Sequence, residues 1–238
     1  MSLLSIIPDV HGRRFWRSAA SAAATGPVVF LGDYLDPYGN EGISQDEAFE
    51  EFQEILLLKD LYPSNVTLLL GNHDLHYVSH KLEGCRFDWF NAARNKEFFL
   101  TNLDKFDLAL AVDNILFTHA GVLRGWYEEH YEIPDDIGAG DIATRLNNLF
   151  HGGMIRSAFM NSLAEISACR GGMDLFGSPV WADVHEHNPD APEFDGIFQI
   201  FGHTRMRQAI ITPHWACLDC QKVFTLETDN GVLLRVHD

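Results

Sequence analysis

Residues 66–74 read VTLLLGNHD, an apolar run that ends abruptly in an amide, an imidazole and a carboxylate. The β-branched Val66 and Thr67, followed by three leucines, predict a buried strand. In an open α/β sheet, ligands bind outside the carboxyl ends of the strands. Three polar side chains crowded at such an end therefore predict a catalytic or binding site.

Two earlier strands are predicted to end in the same manner. LLSII (3–7) runs into PDVHG, and PVVFL (27–31) runs into GDYLD. Residues 13–24 and 44–61 have the apolar spacing of helices, and the second segment begins with a capping-box pattern. Alternating strands and helices predict βαβ units with parallel strands. The three polar clusters would then meet at one edge of a sheet.

In the middle of the chain, the sequence predicts helices and a hairpin. Residues 85–103 and 141–169 look helical, and LALAV and ILFT flank Asp113 and Asn114 as the two strands of a hairpin. The region between residues 121 and 195 is expected to be a mostly helical insert that encodes substrate selectivity, because loops on a fixed scaffold tend to carry specificity.

The tail of the chain returns to strands, for which antiparallel pairing is expected. The predicted strands are residues 196–202, 208–212, 215–220, 222–228 and 231–236, with a tight turn at 229–231. Parallel strands early and antiparallel strands late suggest two sheets packed face to face and covered by helices. We therefore expect an α/β fold in a single domain that spans residues 1–238.

Composition and charge restrict the possible partners. The chain has 238 residues, of which 46% are hydrophobic, so it can bury a sizeable core. Its 34 acidic and 17 basic residues give a formal charge of -17, which repels polyanions, so nucleic acid is not expected as a partner. We find no signal-peptide pattern and no run of about 20 apolar residues, so no membrane partner is expected either. Four scattered cysteines favour a reducing compartment, and we expect a soluble cytoplasmic protein.

A set of polar residues lies at or near the ends of the apolar runs. The set consists of Asp9, His11, Asp33, Asp36, Asn72, His73, Asp74, His119 and His203. Carboxylate, imidazole and carboxamide groups suit borderline divalent metals such as Mn²⁺, Fe²⁺ or Zn²⁺, and the absence of thiolates from the set argues against a structural zinc site. Asp9 and His11 can bind one ion, because side chains two positions apart on an extended segment point to the same side.

The ordered blocks DxH, GDxxD, GNHD, THAG and GHT resemble those of the calcineurin-like metallophosphoesterases, and within them the phosphoprotein phosphatase branch. The resemblance covers the chain from Asp9 to His203, and ACLDC in the tail resembles the closing segment of the family. It implies a two-sheet metallophosphoesterase sandwich flanked by helices, with a dinuclear metal site at the C-terminal ends of the strands.

The same resemblance implies roles for individual residues. Asp9 and His11 would bind the first metal ion, and Asp33 would bridge both ions. Asn72, His119 and His203 would complete the second site. His73 would be the general acid, and Asp36 would hydrogen-bond to His73 and orient it. The two divalent ions would share a bridging hydroxide that attacks phosphorus. Mn²⁺ is the first candidate for these ions, with Fe or Zn as alternatives.

Two departures from the family pattern bear on the substrate. Phosphatases of this branch carry GDxVDRG, whose arginine binds the substrate phosphate, whereas Pro37 stands at that position here. Arg13, Arg14 and Arg124 are the candidates to replace it, because they lie close in sequence to the metal blocks. The GHT block also lacks the second histidine of the wider family's GHxH, which favours a phosphatase over phosphodiesterases and nucleases.

Three functions remain open at this point. The first is a metal-dependent phosphatase that hydrolyses phosphomonoesters of phosphoproteins or small phosphorylated molecules. The second is a hydrolase of phosphoanhydrides such as dinucleoside polyphosphates, since bacterial enzymes with that activity share the HAG block. The third is a catalytically inactive binding module, against which the presence of both His73 and Asp36 argues, because a scaffold needs neither.

Overall fold

A computed structural model describes residues 3–79, 84–152, 156–227 and 233–236 of the chain. The chain divides into two compact units. Unit 1 comprises Met1–Phe106 and Gln221–Asp238, and unit 2 comprises Asp107–Cys220. The expectation of one domain over residues 1–238, with a specificity insert, stays a prediction.

The described residues form two mixed β-sheets and a set of helices. The strands, in chain order, are β1 (Leu4–Ile7), β2 (Val28–Phe30), β3 (Val66–Leu69), β4 (Phe106–Asp107), β5 (Ala109–Val112), β6 (Ile115–Thr118), β7 (Phe198–Phe201), β8 (Ile210–Ile211), β9 (Trp215–Cys217), β10 (Phe224–Glu227) and β11 (Leu233–Val236). The α-helices are α1 (Gln45–Leu61), α2 (Asn72–Val78), α3 (Ala92–Thr101), α4 (Arg124–His130), α5 (Ala139–His151) and α6 (Arg156–Ser162). The predicted α/β class is confirmed.

Unit 1 is built on a six-stranded sheet in the order β11-β10-β1-β2-β3-β4. Strands β1, β2 and β3 are parallel neighbours, with Ile7, Phe30 and Leu68 side by side in the register. The parallel strand ends that the sequence predicted therefore lie along one edge of this sheet. Helix α1 begins where its sequence indicates, because the Ser44 hydroxyl accepts from the Glu47 amide and the Glu47 carboxylate accepts from the Ser44 amide.

Two helical predictions in unit 1 need correction. Residues 85–91 were expected to be helical, but the helix begins only at Ala92. The Asp88 carboxylate accepts hydrogen bonds from the amides of Phe90 and Asn91. These side-chain hydrogen bonds favour a turn over a helix at this point of the backbone. The predicted helix at 13–24 is present as a 3-10 helix, Phe15–Ala24, whose first turn is not capped by a side chain.

Unit 2 carries a five-stranded sheet in the order β5-β6-β7-β9-β8. The predicted hairpin around Asp113 and Asn114 is confirmed by the antiparallel β5–β6 pair. The expectation of an antiparallel tail is wrong for β7, which is parallel to both β6 and β9. Parallel pairing needs a long crossover, and residues 119–197, which include α4, α5 and α6, provide one between β6 and β7. The predicted turn at 229–231 lies outside the described residues.

No helix in the described part of the chain has both the length and the apolar character that crossing a bilayer requires. The cytoplasmic location expected from the sequence stays a prediction.

Gly32 lies where the loops after β2 and β3 approach each other most closely. Its φ is +107°, and a Cβ added there would lie 2.4 Å from the Gly71 amide nitrogen. Because both the left-handed backbone and the backbone contact oppose a side chain, Gly32→Ala is expected to lower the free energy of unfolding by roughly 2–5 kcal/mol. Urea unfolding measures this, and Gly39→Ala is the control, since a Cβ there meets nothing within 4 Å. Equal midpoints for the two variants would contradict the prediction.

Candidate metal centre

The GNHD segment forms the start of helix α2, with Gly71 as the N-cap residue. The Asp74 carboxylate accepts from the amides of Gly71 at 2.8 Å, Asp33 at 2.7 Å and Tyr34 at 2.9 Å. One buried carboxylate therefore joins the loop after β2 to the loop after β3. The close approach of these loops brings the side chains of Asp33 and His73 together.

Four buried residues form what we call the unit 1 cluster: His11, Asp33, Asp36 and His73. His11 Nε2 lies 3.4 Å from Asp33 Oδ2, and one donor atom from each of His11, Asp33 and His73 lies within 4.8 Å of the others. The His11 Nδ1 is 2.8 Å from the Leu35 carbonyl. A carbonyl oxygen only accepts, so Nδ1 carries the hydrogen and Nε2 presents a lone pair. Backbone support of this kind is typical of metal-binding histidines, so His11 and Asp33 fit a metal ion.

Burial favours the metal-binding form of His11. Desolvation lowers the pKa of His11 well below its ordinary value, and the charges of His73 and Arg86 act in the same direction against the opposing effect of Asp33. The imidazole is therefore neutral near pH 7, and its Nε2 lone pair is available.

His73 is oriented by a buried carboxylate. Its Nδ1 lies 2.8 Å from Asp36 Oδ2, and the Tyr77 hydroxyl donates to Asp36 Oδ1 at 2.5 Å. Burial on its own would raise the pKa of Asp36, but the hydrogen bonds from His73, His76 and Tyr77 lower it below the ordinary value. Asp36 is thus an ionised partner that fixes the ring of His73, and Tyr77 in turn fixes Asp36.

The charges around His73 favour its protonated form. Burial opposes protonation, but the charge of Asp33 and the hydrogen bond to Asp36 raise the pKa of His73 to about 10. The guanidinium of Arg86 lies 2.8 Å from His73 Nε2 and needs a lone pair on that nitrogen. A proton and the Arg86 hydrogen bond therefore compete for one site on His73. A cation bound at Asp33 would cancel much of the charge that raises this pKa.

The remaining metal-binding candidates of unit 1 are also buried at strand ends. Asp9 follows β1 and is 1% exposed, and Asn72 is the first residue of α2 and is 2% exposed. Buried polar groups of this kind need partners, and both have them in the structure.

Unit 2 contributes a pair of buried histidines, which we call the unit 2 pair. His119 Nε2 lies 3.1 Å from His203 Nδ1. The two residues follow the parallel neighbours β6 and β7, and the Gly202 amide donates to the His119 carbonyl. Two ring nitrogens this close cannot both carry a hydrogen toward each other, so they share one hydrogen or both donate lone pairs to a cation. This arrangement fits a metal ion.

Backbone strain is concentrated at these residues. Non-glycine residues with positive φ among those described include His11 at 45°, Asp33 at 55°, Asp36 at 57°, Arg86 at 62° and His203 at 64°. Each such conformation costs roughly 1–3 kcal/mol and is typical of functional sites, where the surrounding structure enforces it. Four of the seven described non-glycine residues with positive φ belong to the unit 1 cluster or the unit 2 pair.

The three arginines predicted to bind phosphate are each engaged by a glutamate. Arg13 Nε is 2.7 Å from Glu41, Arg14 Nε is 2.8 Å from Glu51, and Arg124 Nε is 2.8 Å from Glu128. Their role in phosphate binding stays a prediction. Arg13 also donates to the Asp9 carbonyl at 3.2 Å, and its guanidinium carbon lies 5.1 Å from the centroid of the Tyr38 ring. The guanidinium that contacts the imidazoles of His11 and His73 is that of Arg86, which sequence reasoning missed. Arg86 lies in a stretch interpreted as helix, outside every motif block, and no spacing signal marks it.

The CLDC motif contains two buried cysteines. Cys217 and Cys220 are free thiols in and beside strand β9. The Cys217 thiol donates to the Gly202 carbonyl, which precedes His203. This cysteine therefore helps to position the turn after β7.

Comparisons with known proteins agree with the motif blocks. A family model described as calcineurin-like phosphoesterase matches residues 6–205. The catalytic subunit of serine/threonine-protein phosphatase 6 from Drosophila melanogaster is 27% identical over 128 residues, which cover 50% of this chain and 39% of that protein. The chain thus spans about two fifths of the curated relatives that it matches.

Two solved structures resemble the fold. A cold-active protein-tyrosine phosphatase of a psychrophilic Shewanella species has a TM-score of 0.63 at 14% identity, covering 99% of this chain and 78% of its own. A protein serine/threonine phosphatase from Saccharomyces cerevisiae, with similarity to human phosphatase PP5, has a TM-score of 0.59 at 16% identity, covering 100% and 80%. At these identities the likeness shows the fold alone.

Proposed function

Because the chain belongs to the calcineurin-like phosphoesterase family, we propose that this metallophosphoesterase is a phosphatase that hydrolyses phosphomonoesters. The observation that carries the proposal is the buried unit 1 cluster, in which a histidine supported for metal binding lies beside a histidine oriented as an acid. The substrate is a phosphorylated protein or a small phosphorylated molecule.

The proposed metal ligands are those of the motif blocks. Asp9 and His11 would hold one divalent ion, Asn72, His119 and His203 would hold a second, and Asp33 would serve both. Mn²⁺ is the first candidate, with Fe or Zn as alternatives, because the donors are oxygen and imidazole nitrogen. When bound, two such ions supply Lewis acidity toward the phosphoryl oxygens and lower the pKa of water.

His73 is proposed to protonate the leaving oxygen. Its Nδ1 is fixed by Asp36, so Nε2 is the nitrogen that delivers the proton. The hydrogen bond between Nδ1 and the ionised Asp36 stabilises the protonated imidazole that an acid requires. Asp36 acts through His73 as a positioning residue, since its carboxylate contacts the imidazole and the Tyr77 hydroxyl.

A substrate panel tests the proposal. The protein is supplied with Mn²⁺ and assayed with an aryl phosphate, an aryl phosphodiester, a phosphopeptide and a dinucleoside tetraphosphate. We expect kcat/KM to be highest for a monoester, to be lost with a chelator and to return with Mn²⁺, because chelation removes the Lewis acid. A higher value for the tetraphosphate would instead establish an anhydride hydrolase, and a higher value for the diester would establish a phosphodiesterase.

A further inference from the structure

The Arg86 side chain is directed at the two imidazoles of the unit 1 cluster. One terminal nitrogen lies 2.8 Å from His73 Nε2 and 3.5 Å from His11 Nε2, and the other donates to the Asp36 carbonyl at 2.9 Å. The guanidinium carbon lies 3.7 Å from the centroid of the Tyr38 ring. Stacking on an aromatic face and a fixed backbone acceptor together orient the planar group.

The segment that carries Arg86 is anchored to the same network. The Asp88 amide donates to the Tyr77 hydroxyl at 3.2 Å, and that hydroxyl donates to Asp36. The backbone of Arg86 has a φ of +62°, a conformation that a non-glycine residue adopts at a cost. Arg86 is therefore built into the cluster.

The contacts of Arg86 differ from those of the other candidate arginines. Arg13, Arg14 and Arg124 each form an ion pair with a glutamate. Within the described part of the chain, the Arg86 guanidinium instead meets the Asp36 carbonyl, two imidazole nitrogens, the Cys85 thiol and the Tyr38 ring. A carbonyl, an imidazole and a ring are uncharged, whereas a phosphate dianion attracts the guanidinium through its full negative charge as well as through hydrogen bonds. An anion that reaches the cluster can therefore take over the terminal nitrogen.

We propose that Arg86 binds the phosphoryl group of the substrate, and that it selects dianionic phosphomonoesters over monoanionic phosphodiesters. The inference rests on the proposed function and deepens it. A leaving oxygen that receives a proton from His73 Nε2 must lie within hydrogen-bond distance of that nitrogen. The other oxygens of the same phosphoryl group then lie within reach of the guanidinium, which is 2.8 Å from Nε2. Pro37, the neighbour of Asp36, has no side-chain donor for this task.

Binding and protonation are linked by this arrangement. A nitrogen that accepts a hydrogen bond from Arg86 cannot donate one to a leaving oxygen, so the terminal nitrogen must leave Nε2 when the substrate arrives. The phosphoryl oxygens attract this terminal nitrogen away from His73 Nε2, while the hydrogen bond to the Asp36 carbonyl keeps the guanidinium in place. Once the guanidinium has moved to the phosphoryl oxygens, Nε2 is open to take up a proton from solvent water, which it then donates to the leaving oxygen.

The test compares Arg86→Gln and Arg86→Lys with the wild-type protein. Inorganic phosphate is titrated calorimetrically into the metal-loaded protein, and KM and kcat are measured with an aryl phosphate and an aryl phosphodiester. Loss of a charge-assisted hydrogen bond is expected to weaken phosphate binding and to raise KM for the monoester by roughly 10- to 100-fold. The rise in KM for the diester is expected to be smaller. The KM of Arg86→Lys for the monoester is expected to lie between those of the wild type and Arg86→Gln, because lysine keeps the positive charge but lacks the planar guanidinium.

Arg94→Gln is the matched control. Arg94 also lies over an aromatic ring, with its guanidinium carbon 4.1 Å from the centroid of Phe49, but it pairs with Asp46 outside the cluster. Metal content by elemental analysis and thermal unfolding are recorded for every variant. The inference is supported if the variants have the metal content of the wild type and only the Arg86 variants lose phosphate binding.

Two results would overturn the inference. The first is wild-type phosphate affinity and KM in Arg86→Gln. The second is a loss of metal or of thermal stability in Arg86→Gln that accounts for the whole effect, which makes the role structural. If the wild-type protein hydrolyses no monoester, the proposed function fails while the phosphate titration still decides whether Arg86 binds the anion.

Discussion

Asp33→Asn is expected to remove most of the bound metal and to lower kcat/KM for an aryl phosphate by about 10³-fold or more. The Asp33 carboxylate lies 3.4 Å from His11 Nε2, and its other oxygen accepts from the His73 amide at 3.0 Å. Asparagine preserves the shape and one acceptor oxygen, but it replaces an anionic ligand atom by an amide nitrogen without a lone pair for a cation. The fold should therefore survive while the metal site does not.

Elemental analysis after dialysis against Mn²⁺ measures the first effect, and steady-state kinetics measures the second. Asp46→Asn is the control, because the Asp46 side chain is 76% exposed and pairs with Arg94 on the surface. Full metal occupancy in Asp33→Asn would contradict the proposed bridging role. A loss of secondary structure would be visible by circular dichroism, and the proposed role predicts none.

The second large effect is expected at His73. His73→Ala should lower kcat by roughly 10²- to 10⁴-fold for substrates with poor leaving groups, because proton donation to the leaving oxygen is lost. Substrates with good leaving groups should lose far less, since their leaving oxygen departs without a proton. The metal content should stay that of the wild type, because His73 is the proposed acid and not a proposed ligand.

A plot of log kcat against the pKa of the leaving group checks this prediction. The slope should be steeper in the variant than in the wild type. His73→Gln is measured alongside, because alanine leaves the buried Asp36 without the hydrogen bond from His73. His151→Gln is the control for loss of an imidazole at an exposed position. Equal losses across all leaving groups would remove His73 as the acid.

Much of unit 1 could be predicted from local patterns. The strands β1, β2 and β3 and the capped start of α1 follow from apolar runs and from the Ser44 and Glu47 pair, which act within a few residues. Residues 85–91 could not be predicted in this way. Their apolar spacing favours a helix, but the Asp88 side chain and the bond to Tyr77 impose a turn.

The residues of the candidate site were likewise only partly predictable from the sequence. The sequence identified the types of ligand at each strand end, because a polar residue at the end of an apolar run can be recognised from the order of residues alone. The contact between His73 and Asp36 was implied by family resemblance, and the structure gives it a length of 2.8 Å. Tyr77 and Arg86 were missed, since their contacts with Asp36 and His73 join residues that are far apart in the chain.

By itself, the sequence determined the α/β class, the strands β1, β2 and β3 and the residues suited to bind metal, because these depend on local periodicity and side-chain chemistry. Only the tertiary structure decided the parallel placement of β7, the turn at 85–91 and the approach of Arg86 to the imidazoles. The physical reason is that pairing partners and left-handed backbone conformations are selected by distant packing, which the order of residues does not display.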